Sequence, residues 1–298
     1  MKIAGHTMGT PEYTISEAIK LFHDINLDGI EIVVQDNYKC GIPVTASTEL
    51  LSEIKTLSKK YQLHIACLTP YNSNFNSEDE ELREHDISEI IQVINFAAYL
   101  GAQYIRLYAG NVSRTTGLKE ENYHYIKDSL QRLGNHAAEK NIILLLENHF
   151  NTMTVSAKDS FNMMKWINHP NVRILYDQAN LTFTRKEDYE EALSLQKDYI
   201  AYVHVKDLVF KKDIENTIPT STAKSVSHQD ENERIVSTRI VGEGILPWES
   251  ILKDLKHIGY DGWLSLEYER RWHPNDIPDA KIGMKKSAEY LHSCLNCL

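Results

Sequence analysis

The 298 residues are 42% hydrophobic and 25% charged, the balance of an ordinary globular chain, which excludes a mostly disordered one. Acidic residues outnumber basic ones by 42 to 32, for a formal net charge of -10, so a nucleic-acid backbone would meet net repulsion, and no basic stripe opposes it. The longest purely apolar run, residues 142–146, is far too short for a membrane span; with no signal-like start and four scattered cysteines, a reduced, cytoplasmic protein is expected, with neither nucleic acid nor membrane as partner.

In chain order, short β-rich runs alternate with amphipathic stretches. Residues 2–6 read as a first strand, and residues 15–25 as a helix with Ile15, Ile19, Phe22 and Ile25 near one face. A second strand over 29–34, a helix over 50–61 and a third strand over 63–68, stopping at Thr69-Pro70, follow. Residues 83–100 place Ile87, Ile90, Ile91, Ile94 and Ala98 at helical spacing, and Gly101 stands where that helix would stop. The fourth strand is 104–108, the next helix 122–140, and the fifth strand 142–148, which is apolar without alternation, as in a parallel strand buried on both faces. Residues 158–166, 172–177, 187–196 and 200–206 continue as helix, sixth strand, helix and seventh strand.

After that the period breaks. Residues 208–247 are rich in Ser, Thr, Lys, Asp and Glu, and because they interrupt a repeating unit they are expected to form a lid or hairpin over a mouth, not a linker. Residues 248–257 restore a helix, 262–266 read as an eighth strand, and 279–292 as the last helix. Eight strands separated by helices imply right-handed crossovers and parallel pairing. The economical solution is a closed (β/α)8 TIM barrel of the α/β class, one domain over 1–298 with an inserted segment after the seventh strand. An open doubly wound sheet is the rival, but no Gly-x-Gly-x-x-Gly turn follows an early strand.

Barrel enzymes build their sites at the carboxyl ends of their strands, and four apolar runs here end in a side chain able to hold a metal: Glu147, Asp177, His204 and Glu267. The first three stand about one βα unit apart, and the last follows one unit plus the insertion, so the four ends would share one mouth. Three carboxylates and an imidazole form a hard donor set. It suits a single divalent ion, Mn2+ first, with Mg2+, Co2+ or Zn2+ also compatible. Burying the three acids without a cation would be costly.

Together, Leu146-Glu147-Asn148-His149, Asp177-Gln178-Ala179-Asn180, His204-Val205-Lys206-Asp207, Gly242-Glu243-Gly244 and Leu266-Glu267-Tyr268-Glu269 resemble the sugar phosphate isomerase/epimerase family of xylose isomerase-like barrels. The resemblance covers nearly the whole chain. It implies that Glu147, Asp177, His204 and Glu267 are the metal ligands and that Glu147 and Glu267 double as acid and base on opposite faces of a small sugar-like substrate. The activity implied is a metal-dependent isomerase or epimerase of a keto-sugar or related polyol, acting by proton abstraction beside a carbonyl. The alternative on the same scaffold is a lyase, either a keto-cyclitol dehydratase or the catalytic subunit of a C-glycoside deglycosidase. The resemblance extends to abasic-site nucleases with three metals, but those need further histidines where this chain has Thr69-Pro70, Tyr108-Ala109 and Asn180. Self-association, or association with a second subunit, is compatible with the helix faces.

Several polar residues flank the four. His149 lies two positions after Glu147, so in a strand it would point to the same side, as a substrate contact, an added base or simply a surface residue. Lys206 shares parity with His204 and would meet either a substrate oxygen or a neighbouring acid. Arg106 in the fourth strand and Arg270 after the eighth are candidates to grip a carboxylate, phosphate or hydroxyl group, with packing of the last helix as the rival role for Arg270. Asn180 takes the place at which related sugar epimerases often carry a histidine, and is the remaining substrate-binding candidate.

Overall fold

The computed structural model describes residues 1–112, 117–185, 187–211 and 234–298. Its frame is a ring of parallel strands: β1 (Lys2–His6), β2 (Gly29–Val34), β4 (His64–Pro70), β5 (Tyr104–Leu107), β6 (Ile143–Glu147), β7 (Val172–Tyr176), β8 (Ile200–Val205) and β11 (Trp263–Leu266). Each pairs with the next in that order, and β11 pairs back to β1, which closes the barrel. The two-residue β3 (Gly41–Ile42) adds to β2 outside the ring. The fold is therefore the eight-stranded TIM barrel that the alternating pattern implied.

Local chemistry sets the helix starts and stops. Helix α1 (Ile15–Asp24) opens on a capping box in which Glu17 N–H donates to Thr14 Oγ1 at 3.3 Å and Thr14 N–H donates to Glu17 Oε2 at 2.7 Å. Asp79 caps α3 (Glu80–Leu100), which ends at Gly101 with φ 85°, a left-handed turn that a side chain would resist. Between strands and helices lies the main core, including Phe22, Ile54, Ile94, Leu144 and Trp248. A separate cluster of Ala4, Ala66, Cys67, Leu145, Leu175 and Tyr202 fills the barrel interior. Alternation places Leu145, Leu175 and Tyr202 two residues before Glu147, Asp177 and His204, so the plug beneath and the three polar side chains above share one inward face.

Two features depart from the sequence reading. The third strand runs on through Thr69 and Pro70. A helix, α6 (Gln178–Arg185), starts immediately after Asp177, where none was expected. The 208–247 segment is entered by β9 (Asp207–Phe210) and left by β10 (Val236–Arg239), which pair antiparallel as a ribbon. Residues 212–233 of the expected lid lie outside the described residues. Among the described residues no helix is long and apolar enough to cross a membrane.

Candidate metal and substrate site

Glu147 ends β6, His204 sits in β8, and Asp177 and Glu267 directly follow β7 and β11. One donor atom from each of the four lies within 4.8 Å of the others, and all four side chains are buried. His204 Nδ1 is 3.3 Å from Glu147 Oε1 and 3.4 Å from Glu267 Oε1. The structure thus brings together the four residues singled out as ligands. Asn148, whose side chain alternates to the outside, ties this floor to the helices by donating to Ser160 and to Gln196 Oε1, and its Oδ1 accepts from Asp177 N–H at 3.4 Å.

The polar residues expected to meet substrate are largely engaged by the ligands themselves. Arg106 Nε donates to Glu147 Oε2 at 2.6 Å, its Nη2 pairs with the same oxygen, and its guanidinium lies 3.6 Å from the Tyr108 ring centre. Lys206 Nζ is 2.6 Å from Glu267 Oε2 and 3.0 Å from Asp177 Oδ2, an ion pair made by a residue that also lines the cavity. Asn180, in the first turn of α6, donates from Nδ2 to Asp177 Oδ2 at 3.0 Å, to Asn148 O at 2.9 Å and to Glu147 Oε1 at 3.3 Å. It pins two ligands from behind. Arg270 is a correction: its Nε donates to Glu12 Oε1 at 2.8 Å and its Nη1 to Ile277 O at 2.8 Å, and it does not line the cavity. The chain leaves the strand at Leu266, so two-residue alternation no longer governs where Arg270 points.

Electrostatics follow from this crowding. Burial alone would lift Glu147 and Glu267, but Arg106 holds the first below the usual carboxylate range and Lys206, with His204, the second. Burial raises Asp177, and the pull of Lys206 does not fully offset it. Four buried carboxylates in the barrel, Glu31 included, face two buried permanent cations, Arg106 and Lys206. Counted with His204 neutral and Asp177 ionised, as ligands would be, the acids exceed the cations by two charges, which together with the clustered oxygen and imidazole donors fits a divalent ion held by Glu147, Asp177, His204 and Glu267.

Above the ring opens a cavity of about 280 Å³, walled by Met8, Tyr71, Tyr108, His149 and Trp272 with Lys206 and Glu267 at its floor. His149 Nδ1 lies 2.8 Å from the carbonyl oxygen of Phe150. A carbonyl only accepts, so Nδ1 carries the hydrogen and Nε2 keeps a lone pair, with no hydrogen-bond partner among the described residues. Burial pushes His149 down to about 4, against the pull of Glu147, so the ring is neutral at ordinary pH.

Residues 19–294 match the family of xylose isomerase-like TIM barrels. The chain belongs to that family. Among curated proteins it is similar to the inosose dehydratase of Geobacillus thermodenitrificans, 27% identical over 151 residues, 51% of this chain and 48% of the other. The inosose dehydratase of Clostridium perfringens strain 13 is 26% identical over 153 residues, 51% of this chain and 49% of the other. The match therefore spans about half the length of these curated relatives. Two solved structures share the fold over almost their whole length. A probable 3-DHS dehydratase from Bacillus anthracis has a TM-score of 0.76 at 17% identity, covering 98% of this chain and 99% of that one. The 3-keto-D-glucoside 4-epimerase from E. coli has a TM-score of 0.74 at 18% identity, covering 99% and 100%.

Two buried residues of this xylose isomerase-like barrel escaped the sequence reading. Glu31 Oε1 lies 3.1 Å from His204 Nε2 and 3.5 Å from His6 Nε2. Glu31 sits inside β2, and His6, though it ends β1, leads directly into a 3-10 turn over Thr7–Gly9. The available signal was a lone acid within Gly-Ile-Glu-Ile-Val-Val, a stretch otherwise fit only for burial.

Proposed function

We propose that the chain is a divalent-metal-dependent isomerase or epimerase of a keto-sugar or related polyol, acting by removal of a proton from the carbon beside a carbonyl. The observation that carries this reading is the buried cluster of three carboxylates and one imidazole, with donor atoms within 4.8 Å of one another, beside a cavity of about 280 Å³ that Glu267 lines. An ion bound there would supply Lewis acidity to a carbonyl oxygen and its neighbouring hydroxyl.

The chain's own residues then divide the work. Glu147 and Glu267 arrive from β6 and β11, which are separated in the ring by β7 and β8. Each turns Oε1 toward His204 and has Oε2 held by a cation, Arg106 for Glu147 and Lys206 for Glu267. The cations keep both carboxylates ionised and fixed in orientation, so either can accept a proton. Delivery of a proton to the opposite face by the other carboxylate, after it has taken one up from solvent or a substrate hydroxyl, gives an epimer; return of the abstracted proton by the first carboxylate to the adjacent carbon gives an isomer. Tyr108 and Trp272 offer flat walls that stack on the apolar face of a sugar ring and keep water out.

A second reading, dehydration of a keto-cyclitol, is favoured by His149. His149 lines the cavity, and its Nε2, unprotonated in the resting site, can take up a proton from substrate or solvent and then hand it to a departing hydroxyl; the relatives at 27% and 26% identity are named inosose dehydratases. Both readings share the first step. Incubation of the metal-loaded protein in D2O with a panel of keto-sugars and keto-cyclitols, followed by proton NMR, separates them. Deuterium gain with an epimer or isomer supports the first, loss of water supports the second, and no exchange in any of them would overturn both.

A further inference from the structure

The interior of such a barrel beneath its mouth is ordinarily filled by apolar side chains, and here that layer contains Ala4, Cys67, Leu145 and Leu175. Glu31 breaks the pattern. It stands in the middle of β2 with no solvent exposure, and it does not line the cavity. An ionised carboxylate in such a place is destabilising by several kcal/mol unless it is paired.

Its partners show what it is paired for. Thr69 Oγ1 donates to Glu31 Oε1 at 2.5 Å, and His204 Nε2 lies 3.1 Å from Oε1 and 3.2 Å from Oε2. Strands β2 and β8 are not neighbours, since β1 and β11 stand between them, so Glu31 spans the barrel interior to reach the back of the imidazole. His6 accepts from Met8 N–H at Nδ1 (3.0 Å), which leaves its own hydrogen on Nε2, toward Glu31. Two imidazoles and a hydroxyl therefore converge on one carboxylate.

We infer that Glu31 is the positioning residue that fixes the His204 tautomer with the hydrogen on Nε2 and turns Nδ1 toward Glu147, Asp177 and Glu267 as the metal-binding atom. The inference rests on the reading that the ring holds a divalent ion. A carboxylate has no hydrogen to offer at either oxygen, so an imidazole nitrogen facing both oxygens of Glu31 must be the one that donates. The other nitrogen is then left with its lone pair aimed at the ring. A carboxylate behind a ligating imidazole also raises the basicity of the nitrogen that binds the ion and stops the ring from turning.

The test compares wild type with Glu31→Gln, which retains an acceptor of the same length, and Glu31→Leu, which removes it. Metal-free proteins are titrated with Zn2+ against a competing chelator, and the histidine nitrogens of the Zn2+-loaded proteins are assigned by 15N NMR. The expected result is an affinity weaker by roughly 10–100-fold in Glu31→Leu, a smaller loss in Glu31→Gln, and an Nε2-bound hydrogen on His204 in wild type. Unchanged Zn2+ affinity in Glu31→Leu would overturn the inference while leaving the metal site standing. Should Glu31→Leu fail to fold, the wild-type spectrum decides: Zn2+ on Nε2 of His204 would equally overturn it. Absence of Zn2+ binding by wild type would instead remove the metal reading itself, and the inference with it.

Discussion

Lys206 Nζ lies 2.6 Å from Glu267 Oε2, with both side chains buried. The pair sits among more acids than it can neutralise, since Asp177 Oδ2 is 3.0 Å from the same nitrogen. Replacing Lys206 with Met would strand two buried carboxylates, at a cost of about 3–5 kcal/mol to the metal-free protein. A bound divalent ion would restore part of the lost charge. Thermal unfolding with and without metal should therefore show a larger metal-dependent gain in Lys206→Met than in wild type, and equal gains would show that the two cations do not share a charge field.

The paired carboxylates make a second prediction. Glu147→Gln and Glu267→Gln should each reduce turnover by at least about 10²-fold, the range expected when a general acid or base is lost, while unfolding stays cooperative. His149→Ala separates the two proposed outcomes. Loss of dehydration with retained solvent exchange would place His149 on the leaving-group step, whereas an unaffected product ratio would leave it as a wall of the cavity.

How far the sequence could be read follows from where each residue stands. The convergence of the four candidate ligands was legible because each ends or directly follows an apolar run, and strand ends in a parallel barrel all point to one mouth. Glu31 was illegible for the opposite reason: it lies inside a strand, where its partner His204 is remote in the chain and three strands away around the ring. Helix α6 was missed because it begins at Gln178 without a loop after Asp177. Arg106 and Lys206 were placed at the mouth, but pairing decides their task, and pairing is a property of the closed ring. Arg270 failed because strand alternation was carried past the end of the strand.

Metal uptake should release protons. In the metal-free protein, burial lowers the affinity of His204 for its proton, but Glu267 and Glu31 outweigh burial and raise its pKa well above 6.5. Near neutral pH the imidazole is therefore charged, and an ion can take Nδ1 only when that proton leaves. Apparent metal affinity should rise with pH up to the raised value and level off beyond it, with about one proton released per ion from His204 near pH 7. Asp177, which burial also raises, adds to that number. Calorimetric titration in two buffers of different protonation enthalpy counts the protons, and a count of zero near neutral pH would show that His204 is not displaced.

The Gly242-Glu243-Gly244 motif has a steric and electrostatic explanation in Asp207. Its Oδ1 accepts from the backbone N–H of Leu208 at 2.9 Å and of Leu246 at 3.2 Å, and its Oδ2 from Gly242 at 3.0 Å and Gly244 at 3.1 Å. A Cβ on Gly244 would stand 2.0 Å from Asp207 Oδ1, so only glycine lets the loop wrap this closely, and Gly242 adopts φ 90°. Asp207→Asn turns an acceptor into a donor that faces other donors, which costs about 1–3 kcal/mol. Gly244→Ala forces the carboxylate and loop apart, by a similar roughly 1–3 kcal/mol. Because both changes break the same contacts, the double variant should lose clearly less than the sum of the two in denaturant unfolding. Strict additivity would mean that the carboxylate and the glycine shape the loop independently. The loop joins β10 to α8 (Trp248–His257), and Trp248 Nε1 donates to the carbonyl of Lys206 at 3.1 Å. Loosening it should therefore also weaken the hold on Lys206, seen as reduced turnover in either single variant at temperatures where the fold is still intact.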